Sequence, residues 1–121
     1  MTAITKQTIA APYENEEDSP QLTTLTMTAV ASGSTHTFQV GNRGVILVVE
    51  NTNATTAVTI TITSTHDGFG RLATITAFSV TAGTKVVRKF LPNGWENASG
   101  SGLVDFTVSA SGLEVGCIDL T

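Results

Sequence analysis

At 121 residues, with 10 acidic against 6 basic side chains and a formal net charge of −4, the chain has room for one domain with a single core. Four of the acids, Glu14, Glu16, Glu17 and Asp18, fall within five residues, and from Ser19 onward six acids face five bases, so the body is close to neutral. The bases are scattered apart from Arg88-Lys89, which excludes the basic stripe of a nucleic-acid binder, and the longest apolar run, the five residues Val45 to Val49, is too short for a membrane-spanning helix.

In chain order, residues 1–21 differ from everything after them. A Thr/Ala/Ile-rich start is interrupted by Pro12-Tyr13, followed by the acidic cluster, and closed by Ser19-Pro20. It contains no apolar signal-peptide region. This composition predicts an arm without structure of its own, dispensable for folding: either a solvated, frayed terminus or an arm that orders on a partner, with Ile4, Ile9 and Tyr13 as anchors and the carboxylates of Glu14, Glu16, Glu17 and Asp18 as further candidate contacts.

Residues 22–121 read as one β-sandwich domain. Leu22 to Ala31 alternates Leu25, Met27 and Ala29 against Thr24, Thr26 and Thr28, and stops at Ser32-Gly33-Ser34. A short strand, His36 to Val40, ends at Gly41-Asn42-Arg43-Gly44. Val45 to Glu50 is apolar on both faces, as in a central strand covered on both sides. After the turn cluster Asn51-Thr52-Asn53-Ala54 comes the clearest period-two run, in which Val58, Ile60 and Ile62 share one face and Thr59, Thr61 and Thr63 the other. These two runs predict a hairpin.

His66 to Gly70 is a loop, Leu72 to Val80 a strand, and Thr81-Ala82-Gly83-Thr84 a turn into Lys85 to Leu91. Pro92 to Asn97 holds a proline, an Asn-Gly pair and the single Trp, so it reads as a structured loop. Val104, Phe106 and Val108 alternate against Asp105 and Thr107, and Leu113 to Leu120 is the last strand. Roughly eight strands at this spacing predict an all-β sandwich, either jelly-roll or immunoglobulin-like.

Candidate chemistry is sparse. His36, His66 and the single cysteine, Cys117, are far apart in sequence, and a metal site needs at least three converging ligands. Cys117, in an apolar strand, reads as a small core residue, and one cysteine allows no internal disulfide. His66-Asp67-Gly68 reads as a turn. The glycine pairs at Gly68/Gly70 and Gly100/Gly102 lack the strand-then-helix setting of a phosphate cradle. No catalytic residue, cofactor or metal is predicted. Trp95 is either a partner-binding anchor or a plug at the end of the sandwich.

The order of features from about residue 35 to 120 resembles a known family. Arg43-Gly44-Val45-Ile46-Leu47-Val48-Val49-Glu50-Asn51 is followed by Val58-Thr59-Ile60, then Val80-Thr81-Ala82-Gly83-Thr84 and Phe90-Leu91-Pro92. Trp95-Glu96-Asn97-Ala98-Ser99-Gly100 and Val104-Asp105-Phe106-Thr107-Val108-Ser109 complete the series. The series is similar to the small head decoration (cement, auxiliary head) proteins of tailed bacteriophages, with Ser109 standing where their last strand motif usually ends in an aromatic.

The resemblance implies a structural virion protein, without catalytic activity, that binds the major capsid protein on the outer capsid surface as a symmetric oligomer such as a homotrimer. A neutral, Thr-rich surface suits such packing, because it brings no charge into a protein–protein contact. Two further readings remain at this point: a head–tail junction or tail component, and a carbohydrate-binding or adhesin module.

Overall fold

The structure, a computed structural model, describes residues 2–9, 24–65, 69–97 and 102–120. Among the described residues there are ten strands and no helix: β1 (Ala3–Ile4), β2 (Lys6–Gln7), β3 (Thr28–Val30), β4 (His36–Gln39), β5 (Val45–Asn51), β6 (Val58–Ile62), β7 (Ile75–Val80), β8 (Lys85–Phe90), β9 (Leu103–Val108) and β10 (Leu113–Asp119). Each of the eight expected strands is present, most of them trimmed at their ends.

Strand pairing is nested. β3 pairs antiparallel with β10, β4 with β9, β5 with β8 and β6 with β7, as in one long hairpin bent at the β6–β7 connection. Rolling that hairpin up adds β5 against β10 and β6 against β9. Two sheets result, β1-β4-β9-β6-β7 and β2-β10-β5-β8, with β3 also on β10. The connectivity is that of a jelly roll and not of an immunoglobulin domain.

The alternating residues meet between the sheets as their period requires. Val58, Ile60 and Ile62 of β6, Val104, Phe106 and Val108 of β9, and Leu113, Val115 and Cys117 of β10 are all buried. The centre is aromatic. Phe38 of β4 packs edge-on against Phe90 of β8 at 5.3 Å between ring centroids and tilts against Phe106 at 5.9 Å, so one ring joins both sheets.

Two expectations fail. β5 and β6 are not a hairpin, because they lie in opposite sheets. The cause is Asn51, the last residue of β5. Its fully buried amide donates to the carbonyls of Thr56 and Val80 and accepts from the backbone and side chain of Asn53. Those bonds carry the chain from one sheet to the other.

The other concerns the start of the chain. Residues 2–7 are bonded into the sandwich. β1 runs parallel to β4, then the chain changes sheets at Thr5 and β2 runs parallel to β10. Ile4 is only 3% exposed and belongs to the core. His36, buried in β4, fixes this segment: its Nδ1 accepts from the Thr2 N–H at 3.0 Å while its Nε2 donates to the Ala31 carbonyl at 2.6 Å. A Lys6–Asp119 ion pair of 3.5 Å and two bonds between the Gln7 amide and the Thr26 backbone complete the attachment.

β5 has its outer face covered at its middle, while Ile46 and Glu50 on the same face are half-buried. Val48 is 7% exposed although it points away from the core. It lies beside Gly116 of β10, over which residues 25–27 pass. β2 occupies the edge of β10 that β3 would otherwise extend along, so the chain before β3 is displaced onto the outer face.

Candidate functional site

The two long sides of the sandwich differ. On the side of β4 and β10, β1 and β2 bridge the sheets and close the gap. On the opposite side, β7 ends one sheet and β8 the other, and among the described residues neither is paired on its outer edge. They are joined only by the turn at Thr81 to Thr84, which Thr84 tightens by bonding the Thr81 carbonyl through both its N–H and its hydroxyl.

An apolar cleft of about 300 Å³ opens between these two edges. Its floor is Leu47, Ile60 and Ile62, and its rims include Phe78 from β7 and Val87 and Arg88 from β8. Phe78 is 49% and Val87 66% exposed, so large apolar groups face solvent along both rims. Exposed apolar surface grouped around a concavity, rather than scattered, marks an interaction site.

The rims differ in chemistry. From Leu72 to Thr84 there is no charged residue. β7 is interrupted by a bulge between its pairings to Ile60 and Ile62, where Ala77 adopts φ 49° and donates its N–H to the Thr61 hydroxyl. A bulge on an edge strand disrupts the ladder that a further strand would extend. β8 has a continuous register with β5 and carries Lys85, Arg88 and Lys89. Lys85 approaches Glu50 at 3.9 Å, while among the described residues Arg88 and Lys89 have no carboxylate within ion-pair distance.

Trp95 stands at one end of the cleft. The loop turns back on itself, with the N–H groups of Trp95 and Glu96 bonded to the Pro92 carbonyl. This sets the indole edge-on to Phe90 at 4.8 Å, half-buried against the core. The Arg88 guanidinium lies 5.2 Å from the ring centroids of both Phe90 and Trp95. Trp95 therefore packs as a plug while one side of it reaches a shallow surface groove beside Arg71 and Leu72.

Of the other expected contact residues, Ile4 and Ile9 are described, and neither lines the cleft. Ile4 is taken up by its own core, where burial removes it as an anchor. Ile9 is 56% exposed. Tyr13, Glu14, Glu16, Glu17 and Asp18 lie outside the described residues, as do His66 to Gly68. Cys117 is fully buried, with its thiol 3.9 Å from the carbonyls of Ile4 and Gln39, and burial pushes it up from 9.0 to about 11. Among the described residues no three His, Cys, Asp or Glu side chains group as a metal site, and no helix is long and apolar enough to cross a membrane.

The cleft residues were missed in the sequence because Phe78 and Val87 sit in ordinary strand patterns. The signal was Val86-Val87, consecutive apolar residues in a strand whose flanks are cationic. One face of such a strand must leave a valine outside. No protein-family model, no curated protein and no solved structure matches this chain.

Proposed function

We propose that the chain is a structural virion protein that docks on the outer surface of a tailed-phage head, with the major capsid protein as its partner, and stabilises the shell. The observation that carries this reading is the open β7–β8 edge, where an apolar cleft lies between two strands that, among the described residues, are unpaired on one side. The order of motifs that resembles head decoration proteins supports it independently.

Docking through such an edge suits a shell. A capsid presents one site many times, so a symmetric oligomer engages several copies at once and modest contacts add through effective concentration. A ligand that binds only the assembled lattice stabilises it by mass action.

The test is co-sedimentation of the purified protein with undecorated heads, with bound copies counted per head. Saturation in proportion to the capsid lattice is expected. Saturation at a single ring of copies moves the protein to the head–tail junction, and no binding overturns the virion reading.

A further inference from the structure

We infer that β8 is an acceptor edge for an extended, acidic–apolar segment of the partner, which adds to the sheet as one further strand. This deepens the docking proposal and rests on the β7–β8 edge being the docking site.

Backbone geometry favours β8 over β7. Asn51 donates its N–H to the Thr84 carbonyl at 3.0 Å, which makes these two a hydrogen-bonded pair of the β5–β8 ladder. Bonded and non-bonded pairs alternate in an antiparallel ladder, and the register runs unbroken from Glu50↔Lys85 to Val45↔Phe90. Lys85, Val87 and Lys89 therefore turn their N–H and C=O groups to the free edge. β7 offers no equally regular row, because its ladder shifts at the Ala77 bulge.

Side-chain chemistry then sets the pattern of the added strand. Lys85, Val87 and Lys89 share the outer face of β8 and are all exposed. Residues across from them on an added strand are favoured as acid, apolar and acid. The two positions between them point inward beside Val86 and Arg88, toward the cleft over Leu47 and Ile60, and are favoured as apolar. The resulting motif is acid–apolar–apolar–apolar–acid.

The cations also exclude the simplest competitor. Edge lysines discourage pairing between identical edges, since β8 against β8 of a second copy sets like charges together. An acidic strand meets the same lysines as attraction. Main-chain bonds then supply affinity and the alternating pockets specificity, as in other strand-addition complexes.

Trp95, the only tryptophan, reports on this edge because Arg88 lies against it. The peptide Ser-Thr-Glu-Ile-Val-Ile-Glu-Thr-Ser is titrated into the full chain, and binding is read by Trp95 emission and by calorimetry. Saturable binding that weakens with added salt is expected. The same peptide with Lys for both Glu is expected to bind about tenfold or more weakly, as is the Glu peptide to Lys89→Glu. Val87→Pro removes a free-edge N–H without touching the β5 ladder and is expected to abolish binding.

No saturable binding of the Glu peptide, or equal binding of the Lys peptide, overturns the inference. So does unchanged binding by both Lys89→Glu and Val87→Pro. Head co-sedimentation separates this from the function itself. Strand capture without head binding removes the capsid as partner and leaves the β8 site. Head binding that survives both substitutions moves the docking surface off β8 and overturns the inference alone.

Discussion

Asn51 in one sheet donates its side-chain amide to the carbonyl of Val80 in the other, at 2.8 Å and out of contact with water. With Thr56 and Asn53 it has both donors and both acceptor positions filled. A side chain so completely satisfied is costly to remove, because its partners stay buried without it. Asn51→Ala is expected to lower unfolding free energy by about 3 kcal/mol. Urea unfolding checks this, with a lower midpoint and an unchanged slope as the expected result.

Ile4, from the start of the chain, is part of the core. Ile4→Ala is expected to cost about 2–4 kcal/mol, in the range of other buried aliphatic truncations. Deletion of residues 1–9 costs more, since it also opens the edges of β4 and β10 and frees Asp119 from Lys6. Ile9→Ala, at an exposed position, is expected within about 0.5 kcal/mol of the parent chain. Thermal unfolding of the three variants checks the order.

Local chemistry explains which parts of this fold are legible in the chain. Thr59 and Ile60 announce a strand because period two is a property of the strand alone. The doubly apolar Val45 to Val49 run announces a strand covered on both faces, and Val48 has that cover. Ala3-Ile4 and Lys6-Gln7 are two residues each, too short for any period, and their pairing is set by the edges they meet. The false β5–β6 hairpin has a similar origin. Asn51 to Asn53 carries the turn chemistry of a hairpin, and only the distant Val80 carbonyl makes it a crossing between sheets. The cleft was invisible because it depends on which strands end up at the edges, a global result of the roll.

Gly116 marks where residues 25–27 lie against the outer face of β10. A Cβ there would stand 2.9 Å from both the Met27 sulfur and the Thr26 carbonyl oxygen. The methionine can swing away, but the backbone must lift. Gly116→Ala is expected to cost about 1–3 kcal/mol. Amide exchange is expected to speed up over residues 24–28 and to remain slow in β6 and β9. Uniform acceleration would place the strain in the core instead.

Trp95 separates two roles by two substitutions. Its edge-on contact with Phe90 predicts that Trp95→Ala loses about 2 kcal/mol, less than a fully buried aromatic, while Trp95→Phe keeps most of the stability. If Trp95→Ala retains the parent midpoint in urea, the ring is not a plug. Docking lost at full stability would then make it an anchor.

Cys117 sets an alkaline limit on the fold. Burial is the main cause of its raised pKa, and the carboxylate of Asp119 adds to it, against smaller opposing effects of the Gln39 backbone and Lys6. In the unfolded chain the thiol ionises near 9.0, in the folded chain near 11. Below pH 9 both states hold the proton and the group has no effect. Above it the unfolded state loses its proton first, so stability falls as pH rises from about 9 to about 11, by up to about 2–3 kcal/mol at 1.36 kcal/mol per pH unit. Cys117→Ala starts lower because it loses a buried sulfur, but its stability should decline less steeply over this window. Parallel denaturation curves at pH 8, 9, 10 and 11 compare the two slopes, and identical slopes would show that the thiol ionises as readily folded as unfolded.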